Sequence, residues 1–146
     1  MRERQSIDRK GWPSGPWDNE PDRFEWRSQG FPCLAARSHV GAWCGYVAVP
    51  HGHPWHGKGY ADIDTNAHGG LTYSGSCTGR ICHIPEPGES DNVWWLGFDC
   101  AHAGDLYPGG HPLFTDHPWI YRTLDYVRAE VDALALHAAG QLPAAQ

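Results

Sequence analysis

The sequence predicts a small α+β domain: a mainly antiparallel sheet, one C-terminal amphipathic helix packed on a face, and long turn-rich loops. Three observations carry this expectation. The stretches AWCGYVAV (42–49) and VWWLGFDC (93–100) concentrate β-branched and aromatic residues on both faces, as strands covered on both sides do. Eighteen glycines and twelve prolines among 146 residues break the chain into short elements joined by turns. Near the carboxy end, Ile120, Leu124, Val127, Val131 and Leu134 recur at alternating steps of four and three, which aligns them on one stripe of a helix.

Taken in order, residues 1–29 read as an extended arm, because Pro13, Pro16 and Pro21 exclude a continuous helix. Trp12, Trp17, Phe24 and Trp26 would tack that arm onto a domain surface. A single domain is expected over 30–140, opening with the candidate strand GFPCLAAR (30–37), and 141–146 form a tail. AWCGYVAV reads as a central strand stopped by Pro50, and HGHPWHG (51–57) as a loop. HGGLTYSG (68–75) offers a short strand entered through paired glycines, 76–91 is turn-rich, and 93–100 is the next strand. For the helix, Thr115 or Asp116 can cap the start, Pro118 fits the first turn and Gly140 can end it. Arg122, Asp125, Arg128 and Asp132 lie on the side away from the apolar stripe.

Forty per cent hydrophobic residues, with eight tryptophans, suffice for a packed core. Eleven basic against seventeen acidic residues give a formal charge of −6, which opposes the phosphate tracking that nucleic-acid polymers require. Full protonation of the ten histidines would carry that charge from −6 to +4. No run of about eighteen apolar residues is present, and MRERQSIDRKGWPSGPW lacks the apolar core of a signal peptide, so no membrane partner and a cytoplasmic location are expected. Five cysteines without zinc-ribbon spacing then read as free thiols, with Cys77 and Cys82 a weak pairing. A homo-oligomer is compatible with the sequence.

The densest chemistry follows the tryptophan-rich strand. WWLGFDCAHAGD (94–105) releases Asp99, Cys100, His102 and Asp105 within seven residues. Strand alternation would set Cys100 and His102 on one side and Asp99 on the other until Gly104 bends the chain and returns Asp105. These four are the candidate catalytic residues: Cys100 or an activated water attacks, His102 or His68 moves protons, and Asp99 or Asp105 orients the imidazole. The plainer alternative is a small buried thiol beside turn-capping carboxylates.

A second constellation is His68-Gly69-Gly70, where glycines permit close backbone approach with exposed amides and the imidazole can meet an anion or shuttle a proton. Tyr73, in the strand that follows, and His53, in the loop 51–57, complete the candidate ligand-binding set. The histidine and tryptophan-rich loop, with Tyr60, could cover a planar ligand, since stacking on a nucleobase contributes about 1–3 kcal/mol. His51, His53, His56, His68, His102 and Cys100 hold enough donors for tetrahedral zinc, but neither HExxH nor CxxC spacing occurs, so no metal is assigned and no cofactor is named.

The blocks CGYVAVPHGHPWHG (44–57), HGGLTYSG (68–75), DNVWWLGFDCAHAGD (91–105) and YRTLDYVRAEVDAL (121–134), in that order, resemble a family of short uncharacterised phage and prophage proteins, especially those of actinobacteria. The resemblance spans most of 30–137 and implies context rather than mechanism: an accessory protein in a bacterial cytoplasm, where phage products act on host metabolism or defence. His51 and the Trp55-His56 pair depart from the expected pattern, which makes them weaker site candidates than the Gly-His-Pro frame. Two functions follow. The first is binding of a small polar, nucleotide-like ligand, as in sequestration of a host defence signal. The second is a small hydrolase or transferase using a Cys/His/Asp or metal-assisted site, although no GxSxG elbow, Walker loop or dinucleotide fingerprint supports a standard class. A protein-interaction module acting through Trp12, Trp17 and Trp26 is a third. Each small-molecule reading requires His68 to meet the 99–105 segment in space.

Overall fold

The computed structural model describes residues 7–102, 104–110 and 119–142. It is a small α+β fold. Strands β1 (Arg23–Ser28), β2 (Phe31–Arg37), β3 (Trp43–Pro50), β4 (Tyr73–Ser76) and β5 (Val93–Asp99) form an antiparallel sheet in the order β1-β2-β3-β5-β4. Two-residue strands β6 (Asp105–Leu106) and β7 (Ile120–Tyr121) pair in parallel, and helix α1 (Leu124–Gly140) follows. Among the described residues, no helix is long and apolar enough to cross a membrane.

The sheet begins earlier than the expected boundary at residue 30. β1 lies inside the 1–29 segment read as an arm, because Gln29 (φ +55°) and Gly30 (φ +80°) make the left-handed two-residue turn that matches strand twist and folds β1 onto β2. Further upstream, Trp17 is buried and stands edge-on to Tyr121 at 5.1 Å. Glu20 accepts hydrogen bonds from Arg37 (3.0 Å), the Trp43 indole (3.3 Å), the Tyr121 hydroxyl and the Leu124 amide (2.7 Å).

Every residue of β2 is buried, as expected of a strand covered on both faces. On one face Cys33, Ala35, Val47, Val49, Leu96 and Phe98 meet Val127, Val131, Leu134, Ala135 and Ala138 of α1. Each fully buried aliphatic side chain in that layer contributes about 1.5–3 kcal/mol. Gly45 lets the helix seat, since a methyl there would press on Phe98 and Val131. The opposite face gathers Leu34, Ala36, Tyr46, Ala48, Val93 and Trp95, with Tyr73, Cys77 and Ile81 packed against them.

Two expectations about the carboxy end change. Ile120 leaves the apolar stripe: it pairs with Asp105 in β7 and is half exposed, because its amide is taken by the Gly104 carbonyl at 2.9 Å. The helix cap is Thr123, whose hydroxyl accepts from the Tyr126 amide at 3.1 Å. Thr115, Asp116 and Pro118 lie outside the described residues. Nor are all five cysteines free. Cys77 and Cys82 form a disulfide, brought together by a tight turn between Thr78 and Ile81, while Cys33, Cys44 and Cys100 remain thiols.

Candidate functional site

The convergence that the sequence required occurs at the exit of β5. Beyond Asp99 the Cys100 amide still donates to the Trp43 carbonyl (2.9 Å), after which Asp105 N–H donates to His102 C=O (2.9 Å) and Gly104 takes φ +92°. That turn delivers Asp105 into β6. Parallel pairing of β6 with β7 sets Asp105 opposite Ile120, and Arg122, two residues further on, reaches back to Asp105 with its guanidinium. From the other side, the Thr72 amide donates to the Gly97 carbonyl (2.8 Å) and lays the segment carrying His68 along the end of β5.

Asp105 is the hub. Its carboxylate, only 2% exposed, accepts from His68 Nε2 (2.8 Å to Oδ2), Arg122 Nε (3.1 Å to Oδ1) and the His102 amide (3.1 Å to Oδ2). A buried carboxylate is tolerable because these donors replace its hydration and the guanidinium balances its charge. His68 is fixed at both nitrogens, since Nδ1 lies 2.7 Å from the Tyr126 hydroxyl. With Nε2–H donating to the carboxylate, Nδ1 accepts the Tyr126 proton, which defines a continuous Tyr126–His68–Asp105 chain. Burial raises the Tyr126 phenol, aided by nearby Glu130, so the hydroxyl keeps its proton. Arg122 stacks over the Tyr126 ring at 4.7 Å.

His102 forms an outer layer, with its ring 5.7 Å from that of His68. Its Nε2 lies 3.4 Å from Asp99 Oδ1, near enough for charge attraction but misaligned for a hydrogen bond. Thr72 donates to the other Asp99 oxygen at 3.1 Å. Gly69 (φ +66°) sits directly on the His102 ring, which a methyl would overlap. The paired glycines thus serve the approach of an imidazole. The Gly70 amide is spent on the Ala67 carbonyl at 2.7 Å and does not face a ligand, contrary to the exposed-amide expectation.

Three candidates fall outside this cluster's chemistry. Cys100 is buried in the core layer beneath α1, and burial, reinforced by the Asp105 charge, pushes its thiol far above the ordinary range, which favours the protonated thiol over the thiolate a nucleophile needs. His53 is buried with Nε2 on the Ala138 carbonyl (2.8 Å) and Nδ1 accepting from the Trp55 amide (2.9 Å). Ala138 lies twelve residues beyond Tyr126, roughly 18 Å along the helix, so His53 pins the far end of α1. Tyr73 packs on the opposite face of the sheet, edge-on to Tyr46 at 5.6 Å.

The loop 51–57 is likewise structural where it is best ordered by contacts: Trp55 is buried against His137 (ring centroids 5.3 Å) and His56 leans on Trp94 (5.9 Å). The histidines considered for zinc with Cys100 do not gather into one donor set among the described residues. Arg122, Tyr126 and Thr72 went unrecognised as site residues. Arg122 and Tyr126 did carry a signal, a cation and an aromatic four apart around the helix start, although Arg122 lies ahead of the Thr123 cap rather than on the helix as the periodicity suggested.

A cleft of about 300 Å³ opens between the segment before His68 and α1, lined by Thr65, Asn66, Ala67, Glu130, Leu134 and His137 among others. Ala67 directly precedes His68 and Glu130 is one helical turn past Tyr126, but the cleft runs along α1 to His137 and none of His68, Asp105, Arg122 and Tyr126 lines it. Comparison of the chain with protein-family models, curated proteins and solved structures finds no match.

Proposed function

We propose that the protein binds a small polar ligand through an anionic group held at Arg122. One observation carries this reading: Arg122 is anchored by Nε–H on Asp105 and by stacking on Tyr126, while its terminal nitrogens make no hydrogen bond among the described residues. A guanidinium held this way is oriented in advance for a carboxylate or phosphate, and planar two-point contact is the interaction Arg makes best. Separately, a cleft between residues 65–67 and α1 has room for a small molecule, and its Asn66, Thr65 and Glu130 side chains suit a polar one. The resemblance to phage accessory proteins adds the context of a bacterial cytoplasm and, within it, capture of a nucleotide-like defence signal.

The test is native mass spectrometry of protein purified without denaturation, followed by calorimetry with a nucleotide panel. Intact ligand released on denaturation supports binding. Arg122→Gln is expected to weaken the best binder about tenfold or more; unchanged affinity in that variant overturns the reading.

Tyr126–His68–Asp105 favours a second reading, a hydrolase or transferase working by acid–base chemistry without Cys100. His68 Nδ1 would take the Tyr126 hydroxyl proton as Tyr126 takes one from substrate, Asp105 would stabilise the resulting imidazolium, and the proton would return through Tyr126 to the product. Recovery of altered product from an incubated extract, lost in Tyr126→Phe, supports it over binding alone.

A further inference from the structure

Away from this site, the turn after β4 builds a second donor set. Thr78 and Ile81 exchange both backbone hydrogen bonds (3.1 and 3.0 Å) around Gly79 (φ +53°) and Arg80. The pair flanking such a doubly bonded pair is the close, non-bonded kind, with Cα atoms about 4.5 Å apart. Here the flanking pair is Cys77 and Cys82, at 4.7 Å. The very next residue is His83, and the two sulfurs and a His83 ring nitrogen all lie within 4.8 Å of one another.

We propose that Cys77, Cys82 and His83, with the cysteines reduced, form a binding site for zinc or a similar thiophilic divalent cation. Two thiolates and one imidazole are the donors that select zinc, and three protein ligands leave a fourth position for water or an exogenous group. His83 Nε2 lies 3.1 Å from Glu89, so the coordinating nitrogen is Nδ1. Glu89 is itself gripped by both terminal nitrogens of Arg27 (2.9 and 2.7 Å). This is the carboxylate–histidine support that fixes a metal-binding imidazole's tautomer and orientation. Arg23 donates to the Arg80 and Cys82 carbonyls at 2.5 and 2.7 Å, which fixes the backbone that carries the second sulfur. His83 and Cys82 are buried and Cys77 is partly so, which shields the site from competing water.

Disulfide and metal are alternative occupants of one corner. A dithiol reductant opens the Cys77–Cys82 bond by delivering two electrons and two protons and ending as its own disulfide. Zinc then displaces the two thiol protons to solvent and takes both sulfurs.

The test begins with protein reduced anaerobically by a phosphine, which ends as its oxide, with oxygen taken from water. Cobalt(II) titration is expected to give thiolate-to-cobalt charge-transfer absorption saturating at one ion per chain. Cys77→Ser and Cys82→Ser should each lose the band, and Glu89→Gln should keep it while weakening affinity 10- to 100-fold. A fully reduced wild type without the band, or a band that survives in the double serine variant, overturns the proposal. Should the double variant fail to unfold cooperatively, alkylation of the reduced wild type with and without zinc decides instead. Selective protection of Cys77 and Cys82, located by peptide mass spectrometry, supports the site; protection elsewhere or nowhere overturns it.

Discussion

His68 Nε2 lies 2.8 Å from Asp105 Oδ2, although thirty-seven positions separate the two residues in the chain. The contact joins the turn ahead of β4 to the turn after β5, and Arg122 and Tyr126 attach the start of α1 to the same point. Removing the carboxylate charge should therefore be felt by three segments at once. Asp105→Asn is expected to destabilise the fold by about 2–3 kcal/mol, because it uncouples a charged hydrogen bond and leaves Arg122 uncompensated. Urea unfolding followed by tryptophan fluorescence measures this, and a change below 0.5 kcal/mol, about the scatter of a neutral surface substitution, would contradict the hub role.

Tyr126→Phe deletes only the hydroxyl on His68. A loss of about 1 kcal/mol in stability is expected, with anion affinity changed less than threefold, since Arg122 retains the ring beneath it. Turnover, by contrast, should vanish if the relay is catalytic. Calorimetry and product analysis on one preparation separate the two readings.

At the paired glycines, substitution should expose a difference in kind. Gly70→Ala meets open space and suffers only the left-handed backbone penalty of about 1–2 kcal/mol. Gly69→Ala suffers that penalty and also drives a methyl into the His102 ring. The Gly69 variant should unfold at lower urea and shift the His102 ring resonances, whereas the Gly70 variant should leave them in place.

Alkaline pH should weaken the fold through neutral buried acids. Burial raises Cys44 to about 11 and Cys33 to about 12, against an ordinary value of 9.0, and raises Tyr121 to about 12 from 10.0. The unfolded chain then loses these protons first, so stability is fully present below about pH 9 and declines as pH rises toward 12. Unfolding midpoints between pH 7 and 11 under reducing conditions should trace that decline, and Cys44→Ala should flatten its early part.

Cys100→Ser tests the sealed thiol from a different direction. A hydroxyl in that apolar layer should cost about 1–2 kcal/mol of stability, yet leave ligand affinity and any turnover intact, because the sulfur is buried and burial favours its protonated form. Loss of turnover in a folded variant would restore the nucleophile.

Strand identity was legible because Trp43, Val47, Val49, Trp95, Leu96 and Phe98 must all be buried, and only a sheet covered on both sides buries them together. β1 was not, since Arg23, Glu25 and Arg27 make an edge strand look like solvated arm; the pairing depends on a two-residue turn at Gln29 and Gly30 rather than on hydrophobicity. Helix content was readable from Val127, Val131 and Leu134, but Ile120 shares their period by coincidence while pairing in β7. At the site, Asp105 and His68 stood out as polar groups beside glycines. Arg122 and Tyr126 did not, because their role comes from β6–β7 pairing, which two residues of local sequence cannot announce. His53 and Tyr73 misled for the reverse reason: chemically apt side chains were placed by the sheet and helix into separate neighbourhoods.

Glu20 has a consequence for how the molecule opens. One carboxylate receives Arg37 of β2, Trp43 of β3, Tyr121 of β7 and the first amide of α1, so it acts as a latch between the earliest and latest described segments. Fraying of the helix start cannot then proceed independently of the chain before β1. Amide hydrogen exchange at Leu124 should slow or quicken in step with protease cleavage near Glu20, making one local breathing motion visible from both ends of the polypeptide.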